Sequence, residues 1–351
     1  MMFFSIGMPS RLSEWCDAVI ARLAMSRFGT VEHAALNTLE ELASALLRTQ
    51  ASHLVACSRQ PVVRLQTEIV QGKRPFLVAV GDPRAALRNL AERGSYDVAG
   101  ATRAVASSCA TVLSLTRAPA ALVVSNGNAG DAIAIAAAIA DHFEIPTSRS
   151  EVSKIVSELR DVGVTLDSED DSTWCDGLGE REQAIINGAL LPYLPYLQLD
   201  AGLDPIVWEP ELFFTSKHPP TEVLTPASEP VDITGRPRFL VYGPFINLPP
   251  GSWQANVVVG LSAETAGMSF MVEVFAGRRL SHTQVEPSGA QIIEVNLQFM
   301  IDDSVDQPLQ IRIANERAAF DGRLALGYVT MASQTAIPPA TRDRLTAALR
   351  K

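Results

Sequence analysis

A turn near the start of the chain has the composition of an anion-binding loop. The short apolar run Phe3–Ile6 leads through a Gly/Pro/Ser turn into a helical pattern that begins near Ser13. Backbone amides at a helix start, together with the positive end of the helix dipole, can hold a phosphate or sulfate group. Glu14 in the first turn would stabilise the helix but repel such an anion. The residues by themselves leave two interpretations open, an anion site and a purely structural turn.

His53 directly precedes the apolar run Leu54–Cys57, at a point where a substrate could pass. His53 could act as a catalytic base, but no carboxylate lies at a spacing that would pair with it. The remaining histidines are isolated, and we expect structural or solvated roles for them: His33, His142, His218 and His282.

Three stretches resemble successive parts of the sulfotransferase superfamily. Residues 3–16, FFSIGMPSRLSEWC, are similar to its first strand, phosphosulfate-binding loop and first helix, roughly G-x-P-[KR]-S-G-T-T-x-L. Residues 76–90 resemble its strand ending in R-D-P-R-D and the following helix. Residues 121–146 resemble its next strand, Y-E-D-L loop and closing F-L-G-L segment. The resemblance implies a parallel α/β fold that uses the sulfate donor 3′-phosphoadenosine-5′-phosphosulfate (PAPS).

The same resemblance implies a set of site residues. Arg11 and His53 are the candidate catalytic residues, with Arg11 replacing the basic residue that the family carries in its loop. The residues that would contact PAPS, or its product 3′-phosphoadenosine-5′-phosphate (PAP), are Pro9, Ser10, Arg11, Leu12, Ser13, Asp82, Arg84 and Asn89.

Several of these positions depart from the family pattern. Ser10 stands at the basic loop position, Leu12 at the loop glycine, Gly81 at the arginine of the 3′-phosphate site and Asn89 at its serine. The loop 126–129, Asn-Gly-Asn-Ala, replaces Y-E-D-L. Losing two charge-assisted phosphate contacts weakens nucleotide affinity roughly 10²–10⁴-fold. We therefore expect the fold to be retained and the use of PAPS to be lost or strongly impaired.

A second resemblance lies in the C-terminal half. Residues 239–253, FLVYGPFINLPPGSW, are similar to carbohydrate-binding-like β-sandwich modules that read Y-G-P-[YF]-x-x-L-P-x-G-x-[YW]. It implies sugar stacking on Tyr242, Phe245 and Trp253. Trp253 has a second interpretation as a core residue, because it leads an alternating apolar strand. The polar partners would be Asn247, Asn315 and Arg317.

Apolar runs and helical patterns alternate through the first half of the chain. The runs Phe3–Ile6, Leu54–Cys57, Phe76–Val80 and Ala121–Ser125 suit strands buried on both faces. Helical spacing separates them, which predicts a parallel sheet flanked by helices. Such sheets bind ligands beyond the carboxyl ends of their strands.

The second half of the chain differs in proline content and in hydrophobic periodicity. Six prolines between residues 205 and 230 predict an extended linker, and a period of two after residue 236 predicts an antiparallel β-sandwich. The predicted boundaries are an α/β domain at 1–198, a linker at 199–235, a β-sandwich at 236–333 and a C-terminal helix at 334–351.

Composition excludes several classes of function. The 351 residues include 29 basic and 39 acidic side chains, a net charge of −10, which argues against a protein that binds nucleic acid or an anionic membrane.

The sequence also gives no support for a metal site. The four cysteines are far apart, and the acidic run Asp167–Asp171 lacks the pattern of an EF-hand, so we predict no metal site. The N-terminus has no basic segment before its apolar start, and the uncharged stretches are too short to cross a bilayer, which predicts a cytoplasmic protein.

Together these observations predict a pseudo-sulfotransferase with a carbohydrate-binding-like module. It would recognise a glycan or a glycan-processing partner in bacterial surface polysaccharide assembly. One alternative is an active, divergent sulfotransferase that modifies a saccharide. Another is a structural or oligomerisation protein, a homo-oligomer with an apolar sandwich face buried in the contact.

Overall fold

The structure, a computed structural model, describes residues 2–94, 96–125, 131–166, 172–197, 203–216, 224–302, 305 and 307–334. It confirms the predicted fold class, because a parallel sheet flanked by helices is followed by two antiparallel sheets. The loop 126–129, the acidic run 167–171 and the C-terminal helix beyond residue 334 lie outside the described residues.

The first sheet contains five parallel strands. They are β1 (Met2–Gly7), β2 (Val31–Ala35), β3 (His53–Ser58), β4 (Phe76–Val80) and β5 (Ala121–Ser125). Their order in the sheet is β2-β3-β1-β4-β5. The apolar runs predicted four of them. The pattern missed β2, because this edge strand carries Glu32 and His33 and is only partly buried.

Helices cover both faces of this sheet. They are α1 (Arg11–Phe28), α2 (Leu39–Arg48), α3 (Val63–Gln71), α4 (Pro83–Glu92), α5 (Val98–Leu115), α6 (Ala132–His142), α7 (Arg149–Asp161), α8 (Ser172–Asp176), α9 (Glu180–Ala189) and α10 (Tyr193–Leu197). The buried side chains of α1, α6 and α7 form one apolar cluster with one face of the sheet. Those of α3, α4, α5 and α9 belong to a second cluster on the opposite face.

Helix α5 explains the most apolar stretch of the chain. By length and composition its 18 residues could cross a membrane, with a mean hydropathy of 1.3, but 72% of that window is buried inside the protein. Its apolar side chains are therefore used in packing between the parallel sheet and the sandwich. The cytoplasmic location stays a prediction.

Eleven further strands follow among the described residues. They are β6 (Ile206–Trp208), β7 (Phe214–Thr215), β8 (Thr225–Pro226), β9 (Val231–Asp232), β10 (Arg238–Ile246), β11 (Gly251–Leu261), β12 (Phe270–Ala276), β13 (Arg278–Val285), β14 (Gln291–Ile301), β15 (Leu309–Asn315) and β16 (Arg323–Ser333). One sheet has the order β13-β12-β15-β10-β7-β8, and the other has β14-β11-β16-β6, with β9 also paired to β16.

The structure corrects the prediction of a linker at 199–235. Strands β6 and β9 pair with β16, and β7 pairs with β10, so the described part of this stretch belongs to both antiparallel sheets. Trp208 and Phe213 are fully buried there. The prolines exclude helix interiors and central strands, but they allow short edge strands between them.

The α/β part and the sandwich share one apolar core. A single cluster of buried residues runs from β1 through α5 to β16. Polar contacts cross the same boundary: the Ser107 hydroxyl accepts the backbone N–H of Asn247 at 3.0 Å, and the Arg103 guanidinium lies 4.7 Å from the ring centroid of Phe214. The two parts are therefore packed against each other through α5.

Candidate functional site

In this kind of sheet, a ligand would bind beyond the carboxyl ends of β1 and β4. These strands are neighbours, yet α1 packs on one face of the sheet and α4 and α5 pack on the other. The loops after two such strands diverge and leave a crevice. The first predicted group of site residues, from Pro9 to Ser13 and from Asp82 to Asn89, lies on these two loops and helices.

The turn after β1 uses its own hydrogen-bonding groups internally. Ser10 is the N-cap of α1 and is 2% exposed. Its backbone N–H donates to the Met8 carbonyl at 2.7 Å, and its hydroxyl oxygen accepts the backbone N–H of Ser13 at 3.4 Å. The hydroxyl oxygens of Ser10 and Ser13 lie 3.3 Å apart. The backbone amides of Ser10 and Ser13 are therefore already satisfied within the turn.

The two loops are in direct contact. A Cβ added at Gly81 would lie 2.9 Å from the hydroxyl oxygen of Ser10, so the serine occupies the space beside the second loop. The side-chain amide of Asn89 donates to the Pro9 carbonyl at 2.9 Å. The predicted residues are thus brought together, but their side chains close the crevice between the loops.

Carboxylates add negative charge at the same edge. Glu14 forms an ion pair with Arg93, and the Asp82 carboxylate accepts the backbone N–H of Arg84 at 2.7 Å as the N-cap of α4. Arg11 is exposed on the first turn of α1. The Leu12 side chain is 5% exposed and packs in the apolar cluster under α1, so it does not line the crevice.

This turn carries no basic side chain at position 10, where recognition of PAPS or PAP would need one. Both are multiply charged anions, and their recognition needs basic side chains and unsatisfied amides. Ser10 instead places a buried hydroxyl at the basic position, and Glu14 adds a carboxylate to the first turn of the same helix. We derive no sulfate transfer from these residues.

An ion pair that the sequence analysis missed lies at the same edge of the sheet. Arg59 follows β3 and pairs with Asp17 of α1, whose side chain is 12% exposed. The two residues are 42 positions apart, and no local motif joins them. Burial, with the Asp17 charge as a second cause, raises the pKa of the neighbouring Cys57 thiol far above its usual value. Cys57 is therefore a protonated thiol and a poor nucleophile.

The structure corrects the assignment of His53 as a catalytic base. His53 begins β3, at the amino edge of the parallel sheet, whereas the loop after β1 lies at the carboxyl edge. Five residues of strand separate these edges, about 16 Å at the usual rise per residue. The His53 ring stacks on Phe28 with centroids 4.4 Å apart, and partial desolvation lowers its pKa. It therefore does not act together with Arg11.

Two of the three predicted sugar-stacking residues lie together. The ring centroids of Tyr242 and Phe245 are 6.2 Å apart, and Phe214 lies about equally close to both, at 5.9 and 6.0 Å. Phe245 is 38% exposed and Tyr242 is partly exposed.

Trp253 is a core residue, which corrects its assignment as a sugar-stacking residue. It is 1% exposed, and its indole N–H donates to the Pro249 carbonyl at 2.9 Å. Asn315, predicted as a polar partner, is also buried and accepts the backbone N–H of Arg238. Alternation in β11 places Trp253 on the same side as Ala255 and Val257, inside the sandwich.

A row of polar and aromatic side chains crosses the outer face of the six-stranded sheet. Register pairs Phe214 with Tyr242, Tyr242 with Arg312, Arg312 with Glu273 and Glu273 with His282. Residues directly opposite one another lie on one face of a sheet. We call this set the transverse row: Phe214, Tyr242, Arg312, Glu273 and His282.

Two arginines contact the buried carboxylate in the middle of the transverse row. Glu273 is 2% exposed, and its carboxylate is 2.7 Å from Nε of Arg279 and 3.6 Å from Nη1 of Arg312. The Arg312 guanidinium lies 3.5 Å from the ring centroid of Phe275 and 5.3 Å from that of Phe239. Polar and aromatic groups therefore share one surface. In β15, polar and apolar residues alternate with a period of two. This sequence signal could have placed Arg312 on the outer face of the sheet and Ile311 and Ile313 on its core face.

Comparison with known proteins gives only distant similarities. No protein-family model matches the chain, and no curated protein matches it. A mouse sulfotransferase complexed with PAP is similar with a TM-score of 0.37 and 11% identity, over 52% of this chain and 80% of that one. A carbohydrate-binding module in complex with β-1,4-galactotriose has a TM-score of 0.24 and 10% identity, over 40% of this chain and 95% of the module.

The VP2 subviral particle of infectious bursal disease virus has a TM-score of 0.27 and 12% identity, over 41% of this chain and 36% of that one. At these scores and identities we draw no conclusion about function from the similarities. The proposals about function therefore rest on contacts within this chain.

Proposed function

We propose that this protein recognises a carbohydrate through the outer face of its six-stranded sheet and does not itself transfer sulfate. The observation that carries the proposal is the transverse row, which joins an aromatic ring, a guanidinium group, a carboxylate and an imidazole across five paired strands.

The chemistry of this surface suits a sugar. Aromatic faces such as Tyr242 pack against the C–H groups of a pyranose ring, and fixed donors and acceptors meet its hydroxyls. Arg312 is held by Glu273 and by the rings of Phe275 and Phe239, so it is preorganised. A preorganised surface loses less conformational entropy when a ligand binds.

The closed crevice supports the non-catalytic part of the proposal. The Ser10 and Ser13 hydroxyls contact each other, and the Ser10 amide and the Asn89 side chain donate to loop carbonyls, so these groups are not open to the sulfate donor. The proposed role in assembly of a bacterial surface polysaccharide rests on the sequence resemblance alone.

Carbohydrate binding is tested with the full-length protein on a panel of soluble polysaccharides by affinity electrophoresis. Tyr242→Ala is expected to weaken binding of the retained polysaccharide at least tenfold, a loss of about 1.4 kcal/mol. The matched control is Tyr328→Ala, which removes a 44% exposed tyrosine from the other sheet. Equal binding by both variants, with both folded, would refute the proposed face.

The non-catalytic part is tested by calorimetry with PAP. We expect no saturable binding at micromolar concentrations. Micromolar binding that Arg11→Ala abolishes would show a working nucleotide site and would favour the divergent sulfotransferase instead.

A further inference from the structure

A polar cavity lies between the α/β part and the sandwich, away from the crevice after β1. Its volume is about 100 Å³, several times what one water molecule needs. One wall comes from the residues before and within α3 and from α5, and the other from β10, β14, β15 and their loops. Of the described residues that line it, none has a charged side chain.

The first wall carries neutral hydrogen-bonding groups in fixed positions. The Gln60 amide donates to the Ala104 carbonyl at 2.9 Å, and the Gln66 amide donates to the Pro61 carbonyl at 2.8 Å. The Ser114 hydroxyl donates to the Gln66 side-chain oxygen at 2.6 Å. These bonds hold two amides in place at the edge of the cavity.

The same groups keep capacity for a ligand. A glutamine side chain has two donors and an acceptor with two lone pairs, and the bonds above use only part of this capacity. Ser107 accepts the backbone N–H of Asn247 at 3.0 Å, which leaves its own hydroxyl hydrogen to donate. Asn247 also lines the cavity.

The opposite wall is mostly apolar, with Asn247 and Gln307 as its polar residues. Phe245, Leu248 and Pro250 line it, with further apolar side chains from β14 and β15. A cavity with amides and hydroxyls on one wall and a mostly apolar wall opposite them matches a ring that has hydroxyls at its edge and C–H groups on its face. The absence of charge from the described lining selects against anions and cations, which would lose hydration without compensation.

We propose that this cavity binds a single neutral sugar unit. The inference adds a second site to the proposed function and takes the ligand class from it, but it uses different residues from the transverse row. Only Phe245 lies beside both surfaces, so it is not used to distinguish them.

The test is ligand-observed NMR titration of the full-length protein with neutral monosaccharides, and with glucuronate and glucose 6-phosphate as charged analogues. At least one neutral sugar is expected to saturate with a Kd of about 1 mM, and both charged analogues at least tenfold more weakly. Because no charged group of the described lining is involved, added salt should leave this Kd unchanged.

Two variants locate the site. Val63→Trp places a large ring in the cavity from a half-buried position, and Asn247→Leu removes a polar side chain but keeps the backbone bond to Ser107. Each is expected to weaken monosaccharide binding at least tenfold. Arg64→Trp is the matched control, because Arg64 is exposed next to Val63 and does not line the cavity.

The outcomes separate the two proposals. No saturation by any neutral sugar, equal binding of charged analogues, or full binding by both folded cavity variants would overturn the inference. Tyr242→Ala should leave monosaccharide binding unchanged. Polysaccharide binding without monosaccharide binding would refute the cavity alone, and the reverse result would refute the transverse row alone.

Discussion

Glu273 is the one carboxylate of the transverse row, and its side chain is almost fully buried between two arginines. Arg279 and Arg312 both contact it, and Arg279 is about half exposed while Arg312 is largely covered. A buried ion pair contributes little net stability compared with apolar residues, but removal of one partner leaves an uncompensated charge.

This contrast gives a prediction at the residue scale. Arg312→Met should lower the free energy of unfolding by about 2 kcal/mol, because Glu273 keeps only Arg279 as a partner. The double variant Glu273→Leu/Arg312→Met should recover to within about 1 kcal/mol of the parent protein. Urea denaturation at pH 7 measures both, and a double variant less stable than the single one would contradict the argument.

His142 at the end of α6 makes stability depend on pH. Its Nε2 lies 3.1 Å from the Phe76 carbonyl oxygen. Burial lowers the pKa of His142 more than its hydrogen bonds to backbone carbonyls raise it. The folded protein therefore keeps this ring neutral at a pH where the unfolded chain already binds a proton.

We expect the free energy of unfolding to fall as pH drops below about 6.5, the ordinary histidine pKa, until the lowered native pKa is reached. The slope from one such group is at most about 1.4 kcal/mol per pH unit. His142→Gln should flatten it, as measured by urea midpoints between pH 7.5 and 5. His53→Gln is the comparison, since His53 is near the surface and should contribute less. An unchanged slope in His142→Gln would rule out this residue as the cause.

At the scale of elements, the loops after β1 and β4 depend on each other. The Ser10 hydroxyl caps α1 and also fills the space next to Gly81. A methyl group at Gly81 must therefore displace the cap.

Gly81→Ala should cost about 1 kcal/mol of stability through this clash. Ser10→Gly by itself should cost a few tenths of a kcal/mol, since glycine is a tolerable N-cap. In the Ser10→Gly background the penalty of Gly81→Ala should disappear, which a double-mutant cycle in urea detects. Gly289→Ala is the control, with nothing within 4 Å of the added Cβ. Additive losses would mean that the two loops do not touch as described.

At the scale of the whole molecule, α5 joins the α/β part to the sandwich. Arg103 donates to the Leu212 carbonyl at 3.3 Å and stacks on Phe214, and burial lowers the pKa of its guanidinium. The shared apolar cluster extends from this contact into both parts.

We therefore expect one cooperative unfolding transition for the chain. Arg103→Ala should lower its stability by about 1–2 kcal/mol, through a lost hydrogen bond and a lost cation–π contact. Calorimetry and tryptophan fluorescence should report the same midpoint, because Trp15 lies in the α/β part and Trp208 in the sandwich. Two separated transitions in the parent protein would show that the parts fold independently.

The sequence by itself determined the classes of element. Continuous apolar runs such as Phe76–Val80 predict strands buried on both faces, and the alternation from Ile293 to Phe299 predicts a half-buried strand. A strand buried on both faces needs apolar residues at every position, whereas a strand buried on one face needs them at every second position. The resemblance to the sulfotransferase superfamily placed the loops at Pro9 and Asp82 in one site, and both follow neighbouring strands at the carboxyl edge of the sheet.

Only the tertiary structure decided what these residues do. It turned the Ser10 hydroxyl towards Gly81, put Trp253 in the core, and paired Arg59 with Asp17 across 42 positions. The transverse row and the interface cavity arise from strand register and from the packing of α5 on the sandwich. Periodicity specifies which face of an element is buried, but it does not specify which distant element covers that face or in which register two strands pair.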